Sequence, residues 1–205
     1  MDKYILDTNL FFNMGSGLNM GKNTESVVKN MTLLIQKAKI NNIATFFMPP
    51  RIVDEFLSFF EDKNQLFIKD FLAQIIIKSP DYHKLNISGT VFYDLIEDVR
   101  GRSYRGLTIS EEEITSAGKL MIGKIEMDKR EFQTTIGAVI KKFRERYRQA
   151  TRLGFIDSVA DLDLIILAKE QDGFLVSSDE GVLKWGRRFG AKEMPALFFA
   201  TRLNN

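Results

Sequence analysis

The sequence predicts an α/β protein: a short parallel sheet between helical layers, three layers in all, interrupted by a large helical insertion. Three observations predict it. Short apolar runs alternate with helical patterns at both ends of the chain, as parallel sheets require. Acids stand at or just after the carboxyl ends of those runs, where parallel sheets collect their ligands. Between the two ends lies a long stretch of helical periodicity, with Glu55 and Asp161 separated by 106 residues.

The elements follow in order. "YILD" (Tyr4 to Asp7) reads as a buried strand ending in an acid, and a loop rich in Gly and Asn leads to a helix near Glu25 to Asn41. "ATFFMPP" (Ala44 to Pro50) reads as a second strand stopped by prolines, with Pro50 in the first turn of the helix "RIVDEFLSFFE". Helical patterns run from Asn64 to Arg152, with capping-box pairs at Ser110 and Glu113 and at Asp128 and Glu131, and Gly154 as terminator. "FIDSVADLDLIILA" (Phe155 to Ala168) opens the next helix, which ends near Gly173. "FLVSS" (Phe174 to Ser178) reads as a third strand running into Asp179 and the helix "EGVLKWGRRFG", and a last strand is expected near Ala196 to Phe199. On this reading residues 1–60 and 154–205 form the core and 61–153 the insertion.

Composition narrows the chemistry. A hydrophobic fraction of 44% and a charged fraction of 27% are those of a globular protein, and no apolar run reaches the ~20 residues of a membrane span. Without a signal-peptide pattern the expected location is cytoplasmic, and no membrane partner is expected. There is no cysteine and a single histidine, His83, so thiolate, zinc–thiolate and two-histidine chemistry are excluded. Catalysis must rest on carboxylates, hydroxyls, Lys and Arg.

The acids converge on one end of the predicted sheet. Asp7 and Asp179 end strands, and Glu55 lies early in the helix after the second strand. Asp157 and Asp161, spaced i,i+4, share a face at a helix start, while Asp163 lies about 200° around from Asp161. Singly, each has a plain structural reading: Asp157 or Asp161 as a helix cap, Glu55 as a solvated acid, Asp7 and Asp179 as turn residues. Together, four like charges would raise one another's pKa and destabilise the fold unless a cation held them. Carboxylates without His or Cys select Mg2+ or Mn2+.

The ordered set "YILDTN", "PPRIVDEF" and "DLDLIILAKEQDGFLVSSDEGVLKWGRRFG" resembles the acidic motifs of PIN-domain ribonucleases, with Asp7, Glu55, Asp161 and Asp179 in the acidic positions and Ser177 as the hydroxyl before the last acid. The fold is accordingly expected to be PIN-like. "GFIDSVADLDLIILA", the basic helix "KKFRERYRQATRLG" and "LVSSDEGVLKWGRRFG" are similar to the small protein-only ribonuclease P group, the HARP family. That resemblance implies removal of the 5′ leader of precursor tRNA without an RNA subunit, a helical insertion in the core, and a large homo-oligomer. It matches the family's acids to Asp7, Asp157, Asp161, Asp163 and Asp179. Asp7, Asp161 and Asp179 would hold metal, Asp157 and Asp163 a second ion or its waters, and Ser177 would orient a carboxylate, with Glu55 the weakest member.

In the insertion, 100° steps put Lys141, Arg144, Arg148 and Arg152 on one stripe, opposite Ile136, Ile140, Phe143, Tyr147 and Ala150. An amphipathic helix with a solvated face accounts for this alone. Beside an acidic site that repels polyanions, the stripe is expected to bind RNA phosphates. The rival readings are a toxin-type PIN ribonuclease, opposed by the long insertion; a noncatalytic RNA-binding assembly protein, opposed by the intact acid set; and a haloacid-dehalogenase-type phosphotransferase, opposed by Asn9 where a second Asp is needed.

Overall fold

Strand β1 (Asp2–Leu6) runs through the middle of a parallel sheet, between β2 (Ala44–Met48) and β4 (Phe174–Ser177). β3 (Ile76–Ile77) extends it beyond β2 and β5 (Lys192–Pro195) beyond β4, giving the order β3-β2-β1-β4-β5. The computed structural model describes residues 1–12, 20–123, 127–156 and 158–204. The chain winds outward from β1 through β2 to β3, then returns to the other side of β1 for β4 and β5. The reversal lies between β1 and β4, the place where doubly wound sheets open a crevice at their carboxyl ends.

The middle strands are buried because their residues are apolar on both faces. Tyr4, Ile5 and Leu6 are fully buried. The Tyr4 ring stacks on Phe46 and Phe174 and meets Phe199 edge-on. Around the sheet lie α1 (Asn9–Phe12), α2 (Thr24–Ile40), α3 (Pro50–Ser58), α4 (Leu66–Leu72), α7 (Val159–Glu170), α8 (Glu180–Phe189) and α9 (Ala196–Asn204). α2 begins at a reciprocal cap between Asn23 and Ser26, buries Val28, Met31 and Ile35, and packs against β2, α4 and α9. α7 packs against β1, α3 and α8. These are the helical layers of a PIN-like α/β domain.

The chain forms two compact units, residues 1–87 with 156–205, and 88–155. Residues 61–87, grouped with the insertion in the sequence reading, lie with the sheet. Phe67 and Phe71 of α4 are buried there, and β3 pairs with β2. The second unit is a hairpin of α5 (Thr90–Met121) and α6 (Lys129–Arg152). Gly106 admits Tyr147, whose ring would stand 2.8 Å from any Cβ built on that glycine. Arg102, only 7% exposed, pairs with Asp98 and donates to the carbonyls of Thr151 and Leu153, closing the carboxyl end of α6. Gly154 then leaves the helix at φ 69°, as expected of a terminator.

Two local expectations are corrected. The apolar run "ALFFA" is helix α9, not a strand: Ala196, Phe199 and Leu203 are buried at helical spacing while Leu197 and Phe198 are exposed, and so short a run has no decisive periodicity. Ser110 lies inside α5, where its hydroxyl donates to the Gly106 carbonyl, and Glu113 pairs instead with Lys142 and Arg146 of α6. Asp128 does cap α6, accepting from the N–H groups of Arg130 and Glu131.

Candidate active site

Asp7 follows β1 at the carboxyl end of the sheet and Asp179 follows β4, so the two acids flank the reversal of the chain. The Asp7 side chain is 2% exposed. Its carboxylate accepts from the Ser177 hydroxyl, from the Asn9 amide at 3.2 Å and, more loosely, from the Thr8 hydroxyl at 3.4 Å. All are neutral donors. Burial pushes the Asp7 carboxyl up from its ordinary value, the Ser177 and Asn9 hydrogen bonds pull it back, and the Asp179 charge pushes it further up.

Asp179 is the N-cap of α8. Its Oδ1 accepts from the N–H groups of Gly181 and Val182, and its own N–H donates to the Ser177 hydroxyl at 2.9 Å. The plain cap reading is therefore true of Asp179, yet the cap uses one oxygen and leaves Oδ2 without a hydrogen bond among the described residues. Glu55 lies one turn into α3, its carboxyl raised by burial and by the Asp7 charge, with the Thr8 side chain opposing. Asp161 stands in the first turn of α7, which Ser158 caps by accepting from the Asp161 N–H at 3.0 Å.

Asp163 is placed differently. It is 2% exposed, and its two oxygens accept from the Tyr82 hydroxyl at 2.6 Å and from Nη1 of Arg51 at 2.7 Å. Asp157 lies outside the described residues, as does most of the Gly- and Asn-rich loop after α1. Sequence reasoning missed Arg51 and Tyr82. Arg51 could have been found from its place at a helix start one turn before Glu55; Tyr82, in "DYHKLN", carries no signal.

The residues can be tested as a home for a divalent cation. Among the described residues no three Asp, Glu or His side chains gather closely enough to hold an ion by themselves. A small hard cation needs fewer, since Mg2+ keeps several waters and binds through one or two carboxylates plus substrate phosphate. A buried Asp7 with only neutral donors, raised by a neighbouring acid, is an anion that such a cation would stabilise. The donor set fits.

The family description "PINc domain ribonuclease" matches residues 3–205. A protein of Pyrococcus furiosus called RNA-free ribonuclease P is 35% identical over 204 residues, covering 100% of this chain and 94% of its own length. Its namesakes in Alkalilimnicola ehrlichii and Thermodesulfovibrio yellowstonii are each 32% identical, over 205 and 188 residues, covering 100% and 92% of this chain and 97% and 86% of their own lengths. The chain belongs to the RNA-free ribonuclease P family of PINc-domain ribonucleases. As a member it is an endoribonuclease, and the PIN-like fold expected from the acids is the fold observed.

In this RNA-free ribonuclease P relative the basic stripe lies along α6. Lys141, Arg144, Arg148 and Arg152 are all exposed, and Arg148 pairs with Glu145 at 2.7 Å. The neighbouring cations Lys142 and Arg146 turn to Glu112 and Glu113 of α5. No helix among the described residues is long and apolar enough to cross a membrane.

Proposed function

We propose that this chain removes the 5′ leader from precursor tRNA by metal-dependent hydrolysis, leaving a 5′-phosphate and a 3′-hydroxyl, without an RNA subunit. The observation that carries the proposal is the pairing of Asp7 with Asp179 across the chain reversal, in a protein alike along its whole length to RNA-free ribonucleases P. Asp7, Asp161 and Asp179 would hold Mg2+ or Mn2+, with Asp157 serving a second ion or its waters and Glu55 the weakest member. Held by these residues, such an ion would supply Lewis acidity to the attacking water and the leaving oxygen. The residues do the rest. Ser177 fixes the rotamer of Asp7 through its hydroxyl while taking the Asp179 N–H, which ties the two strand ends together. α8 presents Asp179 in a conformation already set by its cap.

RNA would be held by Lys141, Arg144, Arg148 and Arg152, which contact backbone phosphate rather than sequence. Assembly into a homo-oligomer is part of the same proposal. Phe92, Ile96, Leu107 and Ile114 of α5 are more than half exposed, an apolar surface suited to a second copy. Light scattering at micromolar concentration should find an oligomer; a monomer removes that part.

The deciding experiment is incubation with precursor tRNA, with magnesium and with chelator, mapping the cut. A magnesium-dependent cut at the mature 5′ end is expected. Asp7→Asn, Asp161→Asn and Asp179→Asn should each abolish most cleavage in folded protein; at position 179 Asn still caps α8. Near-normal turnover by one of them at limiting magnesium removes that residue from the site.

A further inference from the structure

Arg51 and Tyr82 have no part in the scheme above, yet they hold Asp163, an acid that the sequence reading placed in the site. Arg51 follows Pro50 in the first turn of α3, just past the carboxyl end of β2, and Glu55 lies one turn further on. Asp163 lies on α7, two residues beyond Asp161, and α7 packs against both β1 and α3. The Arg51–Asp163 pair therefore joins α3, which carries Glu55, to α7, which carries Asp161. Nη1 of Arg51 donates to Asp163 Oδ2 at 2.7 Å and to the Tyr82 hydroxyl at 3.2 Å, while that hydroxyl donates to Asp163 Oδ1 at 2.6 Å.

The geometry is one-sided. Asp163 is buried and both its oxygens are engaged, so it has little left to offer an ion. The Arg51 side chain is 55% exposed, and both its hydrogen bonds leave from Nη1. Nε and Nη2 make no hydrogen bond among the described residues. A guanidinium held at one nitrogen by a buried carboxylate, with its outer edge open, is a preorganised fork for a phosphate oxygen pair. Tyr82 completes the clamp. Its own segment is fastened by Glu170, which accepts from Lys78 at 2.6 Å and from the Asp81 N–H at 2.8 Å.

We propose that Arg51 contacts a phosphate of the RNA next to the scissile bond, and that Asp163 and Tyr82 are positioning residues that hold its guanidinium rather than ligands of the metal. This rests on the nuclease reading of the Asp7 and Asp179 site and deepens it. Placing positive charge beside an acidic site also meets an electrostatic need, since the phosphodiester must approach a cluster of carboxylates.

The test has two arms. In the first, melting temperature is followed through a magnesium titration for wild type, Asp7→Asn, Asp163→Asn and Arg51→Ala, with no RNA present. The Asp163→Asn and Arg51→Ala proteins should keep the wild-type magnesium midpoint within about twofold, whereas Asp7→Asn should lose the magnesium-dependent rise. A midpoint moved by Asp163→Asn as far as by Asp7→Asn makes Asp163 a ligand and overturns the proposal, whatever the substrate. In the second arm, single-turnover cleavage of precursor tRNA is measured at saturating protein. Arg51→Ala should slow the step by about 10- to 100-fold, Arg51→Lys should recover part of it, and Asp163→Asn combined with Arg51→Ala should be no slower than Arg51→Ala alone. Additive losses, or an Arg51→Ala rate equal to wild type, overturn it. A wild type that leaves precursor tRNA uncut strikes at the substrate reading instead, and the magnesium arm still decides the role of Asp163.

Discussion

The Ser177 hydroxyl donates to Oδ2 of Asp7 while accepting the backbone N–H of Asp179. One side chain thus sets the distance between two acids that lie 172 residues apart in sequence. Ser177→Ala should leave the fold standing at a cost of about 1–2 kcal/mol, because the Asp179 N–H and the Asp7 carboxylate both lose a buried partner. Cleavage should fall about tenfold or more and need more magnesium. Ser177→Thr, which keeps the hydroxyl, should fall less. Equal rates for Ser177→Ala and wild type at limiting magnesium would separate Ser177 from the chemistry.

Asp7 is a carboxylate that the folded protein holds at a disadvantage without a cation. Asp7→Asn should therefore raise the melting temperature in chelator by about 2–4 °C, the equivalent of roughly 1 kcal/mol for a chain of this size, provided the Asn9 amide turns to present its oxygen. Differential scanning calorimetry in chelator and in magnesium checks this. The variant should be the more stable in chelator and should lose that advantage in magnesium.

Glu170 gives a pH-dependent prediction. Burial pushes its carboxyl up, but Lys78 and the Asp81 N–H outweigh that, and the net shift is downward from 4.5. A carboxyl depressed in the folded state contributes stability that is present above its unfolded value and is lost as pH falls through its folded value. Glu170→Gln should therefore lower the melting temperature at neutral pH, and the gap from wild type should close as pH drops below about 4.5. A gap unchanged between neutral pH and pH 3 would mean that the carboxylate contributes nothing to holding residues 78–82.

Within the hairpin, Arg102→Ala removes the partner of Asp98 and of two carbonyls at the end of α6, and should cost roughly 3 kcal/mol in that unit. Gly106→Ala drives a methyl into Tyr147 and should cost about 1–3 kcal/mol. Hydrogen exchange should place both losses in residues 88–155. Losses spread evenly over both units would contradict an independent hairpin.

The proposed RNA-binding stripe on α6 separates binding from chemistry. Reversing Arg144 and Arg148 to Glu should weaken tRNA binding, with a smaller loss at high salt, because log K falls linearly with log salt in proportion to the phosphates contacted. At saturating RNA the same bond should still be cut. A folded, assembled variant with wild-type affinity and salt slope would return α6 to an ordinary solvated helix face.

β1, β2 and β4 were legible because these strands are written in the residues themselves: apolar on both faces and bounded by Pro, Gly and acids, whereas β5, "KEMP", carries no such pattern. Asp7 and Asp179 were legible for the same reason, since a strand end is a position that sequence can mark. Asp163 was not. Its side chain was visible, but its partner Arg51 is 112 residues away and Tyr82 is 81 away, and such a pairing has no local pattern. β3 was missed because two exposed isoleucines at a sheet edge lack periodicity, and α9 was misread because five apolar residues fit either period. The start of the hairpin at Ser88 was hidden because α4, helical like the insertion, buries its phenylalanines against α2.

The position of β1 at the middle of the sheet has a consequence for synthesis. On the ribosome β1 can pair with β2 once residue 48 has emerged, but its other edge waits for β4, whose first residue is Phe174. Over that interval the nascent chain carries an apolar strand open along one side, which is an invitation to mispairing. The same delay holds the candidate site apart: until residues 177–179 are made, Asp7 stands without the acid that faces it across the chain reversal and without the Ser177 hydroxyl that joins the two.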